Sequence, residues 1–196
     1  THHWGANWNK GFDSYALIDE LIGQQKWKDK LEFSYIGNLP KNFSFKNSYV
    51  VEPLSGTELA NEIKKNHLYI TGSINEPSGN HHIEGAQCGL PLLYINSGGV
   101  PEYCNNFGVM FEKNNLEIKL EEIINNYQKY LEKIDSYPFN SDNMSEHYLN
   151  LFENNILNKE KIIQNRSFNK SHSKITKKSY MFLREFKKRI RKINLN

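Results

Sequence analysis

Short apolar segments alternate with amphipathic helical patterns along most of the chain, and this alternation limits the possible folds more than any other feature. A helix that follows each strand returns the chain so that the next strand lies parallel to the last. Five segments are predicted as buried strands: residues 31–36, 48–51, 67–71, 92–96 and 109–111. A sixth strand is expected to end in the opening residues. The sequence therefore predicts an α/β fold, a Rossmann-like parallel sheet with helices on both faces.

Helices are predicted wherever apolar residues recur at steps of three and four. The predicted helices cover residues 12–22, 55–65, 80–88, 116–131 and 144–157. Ser55 and Glu58 have the spacing of a capping box, in which two side chains pair with backbone N–H groups at a helix start. Gly89 and Pro91 are expected to end the helix that begins near Asn80.

Charge divides the chain into two parts. Residues 1–157 contain 12 Lys and no Arg against 20 acidic residues, which gives a net charge of −8. Residues 158–196 contain 13 basic and 2 acidic residues, which gives +11. This shift predicts a globular domain over 1–157, a polar linker over 158–174, and a C-terminal helical tail, a basic amphipathic helix, over 175–196.

Polar residues follow the strand predicted at 67–71, where parallel sheets commonly bind ligands. Gly79 precedes a predicted helix whose first N–H groups, in residues 80–82, have no partner within the helix and suit a diphosphate. Glu76 and Glu84 flank this helix start, and a carboxylate can accept two hydrogen bonds from vicinal sugar hydroxyls. The alternative is that Glu76 only favours the helix start and Glu84 is a solvated surface residue.

The order of motifs around this helix resembles a known enzyme family. Glu-Pro-Ser-Gly at residues 76–79 is followed by Glu84 after an interval of seven residues, then by Cys-Gly-Leu-Pro at 88–91 and Ser-Gly-Gly-Val-Pro-Glu at 97–102. This pattern is similar to the C-terminal, donor-binding half of retaining glycosyltransferases of the family 4, group 1 type. These enzymes have the GT-B fold, which is built from two facing Rossmann-like domains.

Three upstream segments extend the resemblance to residues 1 to about 135. Lys-Gly-Phe-Asp at residues 10–13, Phe-Ser-Tyr-Ile-Gly at 33–37, and Val-Val-Glu-Pro-Leu at 50–54 occur in the order that the family shows. The resemblance implies that Lys10 contacts the donor diphosphate and that Glu76 faces the transferred sugar. These two residues are the catalytic candidates.

The resemblance also implies a set of donor-binding residues. Glu84 corresponds to the residue that binds the ribose, and residues 51–54 correspond to the loop beside the base. The full donor-binding set comprises Gly11, Gly37, Val51, Pro53, Leu54, Gly79, Asn80, His81, His82, Glu84, Gly98 and Gly99. The two glycines at 98 and 99 are expected to allow close backbone approach on the same rim.

One departure from the family concerns the diphosphate site. The family has an Arg several residues before the Lys, whereas residues 1–9 contain none. Either His2, His3 or a nest of backbone N–H groups replaces this Arg, or the site relies on Lys10 and the helix N-terminus alone. A metal site is not expected, because adjacent residues such as His81 and His82 diverge by about 100° around a helix. The resemblance likewise implies that the enzyme uses no metal and no cofactor and that the nucleotide sugar is a substrate.

The implied reaction transfers a sugar from a nucleotide-diphosphate donor to a hydroxyl acceptor with retention of configuration. The implied partners are the donor and an N-terminal acceptor domain that this chain lacks, so transfer by the chain alone is expected to be poor. Two alternatives stay open at this point. One is a sugar-nucleotide epimerase or hydrolase on the same scaffold, and the other is a non-catalytic nucleotide-sugar-binding module.

The C-terminal residues 175–196 place apolar side chains on one predicted helical face and basic side chains over the rest. Such a helix suits an anionic membrane surface. The alternative is a helix that docks on the acidic body of the same chain. Nucleic acid is not an expected partner, because the aromatic and basic residues lie on opposite faces. The expected location is cytoplasmic, peripheral on the inner face of the membrane.

Overall fold

The computed structural model describes residues 1–166 and residue 181. Its strands all pair in parallel, in the orders β1-β2-β3 and β4-β5-β6. They are β1 His2–His3, β2 Ser34–Gly37, β3 Tyr49–Val51, β4 Tyr69–Thr71, β5 Leu92–Ile95 and β6 Gly108–Phe111. Each of the five predicted strands overlaps one of these, and β1 is the strand expected in the opening residues.

Helices connect the strands and continue after the last one. They are α1 Phe12–Ile22, α2 Gly56–Ile63, α3 Asn80–Gln87, α4 Val100–Cys104, α5 Leu116–Asn125, α6 Tyr127–Ile134, α7 Ser141–Leu157 and α8 Lys159–Asn165. The capping box predicted at α2 is wrong in detail, because Ser55 is the N-cap residue but makes no side-chain cap hydrogen bond. Backbone geometry alone starts this helix.

The helix predicted over 116–131 is two helices, α5 and α6. Asn126 separates them with φ −113° and ψ 21°, outside helical geometry. Its side-chain Nδ2 donates to the Glu122 carbonyl at 2.8 Å. Asn side chains compete with backbone N–H groups for such carbonyls. The spacing of apolar residues does not reveal this competition, so it predicts one continuous helix.

The strands form two three-stranded parallel sheets, and helices cover both faces, as the sequence predicted. Strand β5 shows why, since Leu93 and Ile95 belong to one buried cluster with α1 and α5, while Leu92 and Tyr94 belong to a second cluster with α2, α3, α4 and α6. Alternate residues of a strand point to opposite faces, so each face receives apolar side chains. Burial of each large apolar side chain contributes about 1.5–3 kcal/mol.

The chain divides into two compact units, Thr1–Met144 and Ser145–Asn196. The domain division predicted at residue 157 stays a prediction, but α8 shows that part of the predicted linker is helical. Several apolar side chains of α7 are exposed, namely Met144, Tyr148, Leu149, Leu151, Phe152, Ile156 and Leu157. The predicted basic helix over 175–196 lies outside the described residues, apart from residue 181.

Candidate functional site

Lys10 is fixed at the carboxyl-end edge of the sheet by a short 3-10 helix, Trp8–Lys10, and by the glycine that follows it. Gly11 has φ +104°, and a Cβ atom there would lie 2.6 Å from the carbonyl carbon of Gly72. Only glycine allows both this conformation and this close approach. Gly11 thus places Lys10 beside the loop that follows β4.

Lys10 forms an ion pair with Glu76 across this edge. The Lys10 Nζ atom donates to Glu76 Oε2 at 2.7 Å, and the two side chains are 28% and 17% exposed. These two residues are 66 positions apart in sequence, and they are the two catalytic candidates. The structure therefore brings a cation and a carboxylate together where the sequence predicted both to face one donor.

The loop that carries Glu76 is held by the segment after β5. The Gly99 N–H donates to the Glu76 carbonyl at 2.8 Å, and the Asn75 N–H donates to Ser97 Oγ at 2.9 Å. Side chains at Gly98 or Gly99 would clash with the backbone of residues 76–77. The expected close backbone approach is therefore made to this loop, and the two glycines position Glu76.

Helix α3 begins beside the ion pair with Gly79 as its N-cap and with no side-chain cap. Two side chains of its first turn, His81 and His82, are buried, whereas Asn80 is exposed. His81 Nε2 is hydrogen bonded to Thr71 Oγ1 at 2.7 Å, and burial and neighbouring histidines hold its pKa well below its usual value. His82 is fully buried, and burial lowers its pKa to about 4. Both histidines are therefore neutral near pH 7.

Glu84 lies one turn into α3 and is bonded to the opening strand. His2 Nε2 donates to Glu84 Oε2 at 2.6 Å, and this hydrogen bond lowers the Glu84 pKa. The Tyr69 hydroxyl is 2.9 Å from His2 Nδ1 and accepts the His2 backbone N–H at 3.2 Å. The sequence did not predict this contact, because no motif relates positions 2, 69 and 84.

A small, open cavity includes His2, the partner of Glu84, in its lining. Its lining residues are His2, His3, Trp4, Ile36, Gly37, Pro53, Leu54 and Leu59. Three of these, Gly37, Pro53 and Leu54, are predicted donor-binding residues. Val51 is not among the lining residues, and it is the last residue of β3, paired with Ile36.

The two histidines considered as replacements for the family Arg have other partners. His2 Nε2 is bonded to Glu84, and His3 Nε2 is bonded to the Tyr15 hydroxyl at 2.8 Å. Burial holds the pKa of His3 well below its usual value, so His3 carries no positive charge near neutral pH. Lys10 is thus the cation that the structure places beside the start of α3.

Two further findings concern metals and membranes. Within residues 1–166, no three His, Cys, Asp or Glu side chains are grouped so that they could hold a metal ion. In the same part of the chain, none of the helices combines the length and the apolar composition needed to cross a bilayer.

Two known proteins are similar to this chain. The phosphatidylinositol N-acetylglucosaminyltransferase gpi3 subunit of Schizosaccharomyces pombe is 25% identical over 144 residues, which are 66% of this chain and 31% of that protein. The crystal structure of TarM superimposes with a TM-score of 0.56 at 18% identity, over 77% of this chain and 34% of TarM. The likeness to TarM shows the fold, one half of the GT-B architecture. The chain spans about a third of each protein.

The family to which the chain belongs is shown by a match of its sequence. Residues 20–163 match the family described as glycosyl transferases group 1. This match includes the Glu76 loop, α3 and the glycines at 98 and 99, but not Lys10, which the fold brings to the same edge. The chain belongs to the glycosyl transferases group 1 family.

Proposed function

We propose that this chain is the donor-binding half of a retaining glycosyltransferase that uses a nucleotide-diphosphate sugar. The observation that carries the proposal is the Lys10–Glu76 ion pair beside the start of α3. A cation, a set of backbone N–H groups and a carboxylate converge there at the end of a parallel sheet. An anionic leaving group attached to a polar sugar needs this combination of groups.

The diphosphate is proposed to lie between the Lys10 ammonium and the N–H groups of residues 80–82. The diphosphate is proposed to replace Glu76 as the partner of the Lys10 ammonium, so that the partly buried cation stays paired with an anion when the donor binds. Glu76 then becomes free to accept hydrogen bonds from hydroxyls of the transferred sugar. The same loop thereby serves the empty and the occupied site.

In the proposed reaction, the bond between the anomeric carbon and the diphosphate oxygen breaks, and its electron pair moves to that oxygen. The acceptor oxygen bonds to the same face of the anomeric carbon, and its proton passes to the departing phosphate. Lys10 and the α3 N–H groups stabilise the charge that grows on the leaving oxygen. One well-placed donor of this kind lowers a barrier by about 3 kcal/mol.

Glu84 is proposed to bind the ribose, and the cavity lined by Gly37, Pro53 and Leu54 is proposed to accept part of the base. Transfer also requires an acceptor site, which is proposed to lie on another domain or subunit, because the matched region covers only about a third of each similar protein. We therefore expect donor binding from this chain, and transfer only together with an acceptor domain.

Calorimetry with UDP, GDP and ADP tests donor binding. We expect at least one nucleotide to bind and Lys10→Ala to weaken it by about tenfold or more, since the loss of a hydrogen-bonded charge is worth about 1.5–3 kcal/mol. Lys28→Ala is the matched control, because Lys28 is exposed in the turn after α1. Equal affinities of wild type and Lys10→Ala, or no binding of any nucleotide, would contradict the proposal.

We further propose a location on an anionic membrane surface through residues 175–196. The support is the sequence of this segment, in which apolar residues recur at helical spacing among basic ones. Each basic residue near an anionic surface contributes about 1 kcal/mol. A sugar acceptor at the membrane is compatible with this location.

A further inference from the structure

We infer that His2 is a positioning residue that holds the Glu84 carboxylate in the orientation that receives the ribose hydroxyls, with Tyr69 fixing the imidazole. This inference rests on the proposed function. It assigns a role to the first strand that neither the motifs nor the family match includes, because that match begins at residue 20.

The hydrogen bonds define which nitrogen of His2 donates. Tyr69 is fully buried, and burial raises its pKa well above the usual value, so its hydroxyl keeps its proton. That hydroxyl accepts the His2 backbone N–H and can donate its own proton to Nδ1. The Nε2 atom then carries the ring proton, and it points to Glu84 Oε2 at 2.6 Å.

The two partners differ in how firmly they are held. The His2 side chain is 8% exposed, and its strand pairs with β2 through Ile36. The Glu84 side chain is 49% exposed on a helix surface. Ordering a free Glu side chain costs conformational entropy, and a ligand that binds it would otherwise meet that cost. His2 removes part of this cost before the ligand arrives.

The contact uses only one oxygen of the carboxylate. Within residues 1–166, Glu84 Oε1 has no hydrogen-bond partner. A carboxylate has lone pairs on both oxygens, so Oε1 remains able to accept a hydrogen bond from a diol. The cavity lined by His2, Gly37 and Leu54 adjoins the His2 side of this contact, and the proposed function assigns it to the base of the same nucleotide.

Two near-isosteric substitutions separate positioning from simple packing. His2→Gln places an amide N–H close to the position of Nε2, and it can still donate to Glu84. His2→Asn is shorter, reaches only the position of Nδ1, and cannot. Both remove the ring, and Asn is smaller than Gln by one methylene group, so the thermal unfolding of each variant measures its loss of packing. Tyr69→Phe tests the second contact, because it removes only the hydroxyl.

The experiment measures the preference for ribose over deoxyribose. Calorimetry with UDP, GDP and ADP identifies the nucleotide that binds, and its 2′-deoxy counterpart is then compared with it. We expect wild type and His2→Gln to prefer the ribonucleotide by about tenfold or more, as expected for hydrogen bonds to a charged group. We expect His2→Asn to reduce this preference to less than about threefold, and we expect the same of Glu84→Gln.

Four results would overturn the inference. An undiminished ribose preference in His2→Asn would exclude positioning by His2, while wild-type nucleotide binding would leave the proposed function intact. An equal loss in His2→Gln and His2→Asn would reduce His2 to a packing residue. No ribose preference in wild type would remove the role of Glu84. No nucleotide binding at all would remove the proposed function as well. Thermal unfolding of each variant verifies that it is folded.

Discussion

At the residue scale, His82 combines a polar imidazole ring with full burial. Its side chain is fully buried, and neither ring nitrogen has a hydrogen-bond partner among the described residues. A buried polar group without a partner costs about 1–3 kcal/mol. The ring instead packs against the His81 and Tyr103 rings at centroid distances of 4.8 and 5.6 Å. Folding therefore holds a neutral imidazole at the start of α3.

This burial predicts a loss of stability in acid. The pKa of His82 falls from 6.5 in the unfolded chain to about 4 in the folded chain. Between these values the unfolded chain binds more protons, so the free energy of unfolding falls as the pH drops from 6.5 towards 4. We expect His82→Leu to lose less stability than wild type between pH 7.5 and pH 5, as measured by urea denaturation.

His3 and His81 also have lowered pKa values, so some acid sensitivity remains in this variant. The exposed His147 provides the control, and His147→Leu is expected to follow the wild-type pH dependence. If His82→Leu lost as much stability as wild type over the same range, His82 would not titrate as its burial predicts.

The residues of the site could be predicted from sequence only where a motif carried them. Lys10 and Glu76 stand in recognisable motifs, and the order of the strands places both at one edge. His2 and Tyr69 stand in none, and their contacts with Glu84 depend on how β1 and β4 lie beside α3. The inward turn of His81 and His82 likewise depends on packing, which a motif does not encode.

At the scale of elements, Asp19 joins α1 to the loop before β3. It lies in the interior of α1, and it accepts hydrogen bonds from the backbone N–H groups of Lys46 and Asn47 and from Ser48 Oγ, all at 2.6–2.8 Å. Burial alone would raise its pKa, but these hydrogen bonds outweigh burial and lower the pKa below 3.8. One carboxylate thus orders the entry to β3.

We expect Asp19→Asn to lower the free energy of unfolding by about 2 kcal/mol or more at pH 7, because an amide NH2 group then faces N–H donors. The wild-type contribution is present above pH 3.8 and is lost as the pH falls through the lower, folded-state pKa. Urea denaturation at pH 7 measures the difference, and Asp29→Asn at an exposed turn is the control. Equal stability of Asp19→Asn and wild type would show that the loop is held by other contacts.

The bounds of elements were predictable where apolar period alone decides them. Helix α1 matches its predicted residues 12–22, and α3 ends one residue before the predicted end. The break at Asn126 is accompanied by a side-chain hydrogen bond to the Glu122 carbonyl, whereas Ser55 lacks the side-chain cap hydrogen bond that was predicted. The apolar spacing reveals neither feature. Helix α8 was missed because Asn, Lys and Glu dominate its surroundings and no apolar face is visible there.

At the scale of the whole molecule, the two parts of the chain differ in net charge and are expected to interact differently with an anionic membrane. Residues 1–157 carry a net charge of −8, whereas residues 158–196 carry +11. An acidic body is repelled by an anionic surface, and a basic segment is attracted to it. The proposed donor site needs local positive charge, which Lys10 supplies within the acidic part. Membrane attraction is therefore expected to depend on the C-terminal segment.

We expect deletion of residues 175–196 to abolish sedimentation with vesicles that contain phosphatidylserine. Substitution of Lys187, Lys188, Arg189 and Arg191 by Gln keeps the length and the apolar residues, and it is expected to weaken binding by orders of magnitude at about 1 kcal/mol per charge. Phosphatidylcholine vesicles and 0.5 M salt should each suppress binding of the intact chain, because both remove the electrostatic attraction.

The exposed apolar side chains of α7 offer an alternative explanation for binding to vesicles. Tyr148, Leu151 and Phe152 are each more than half exposed, and burial of apolar groups in a bilayer interface does not depend on salt. If the truncated chain sedimented as well as the intact chain, and did so in 0.5 M salt, α7 would be the contact and the basic segment would not. Salt-sensitive binding that disappears with the segment would instead assign the attraction to its charges.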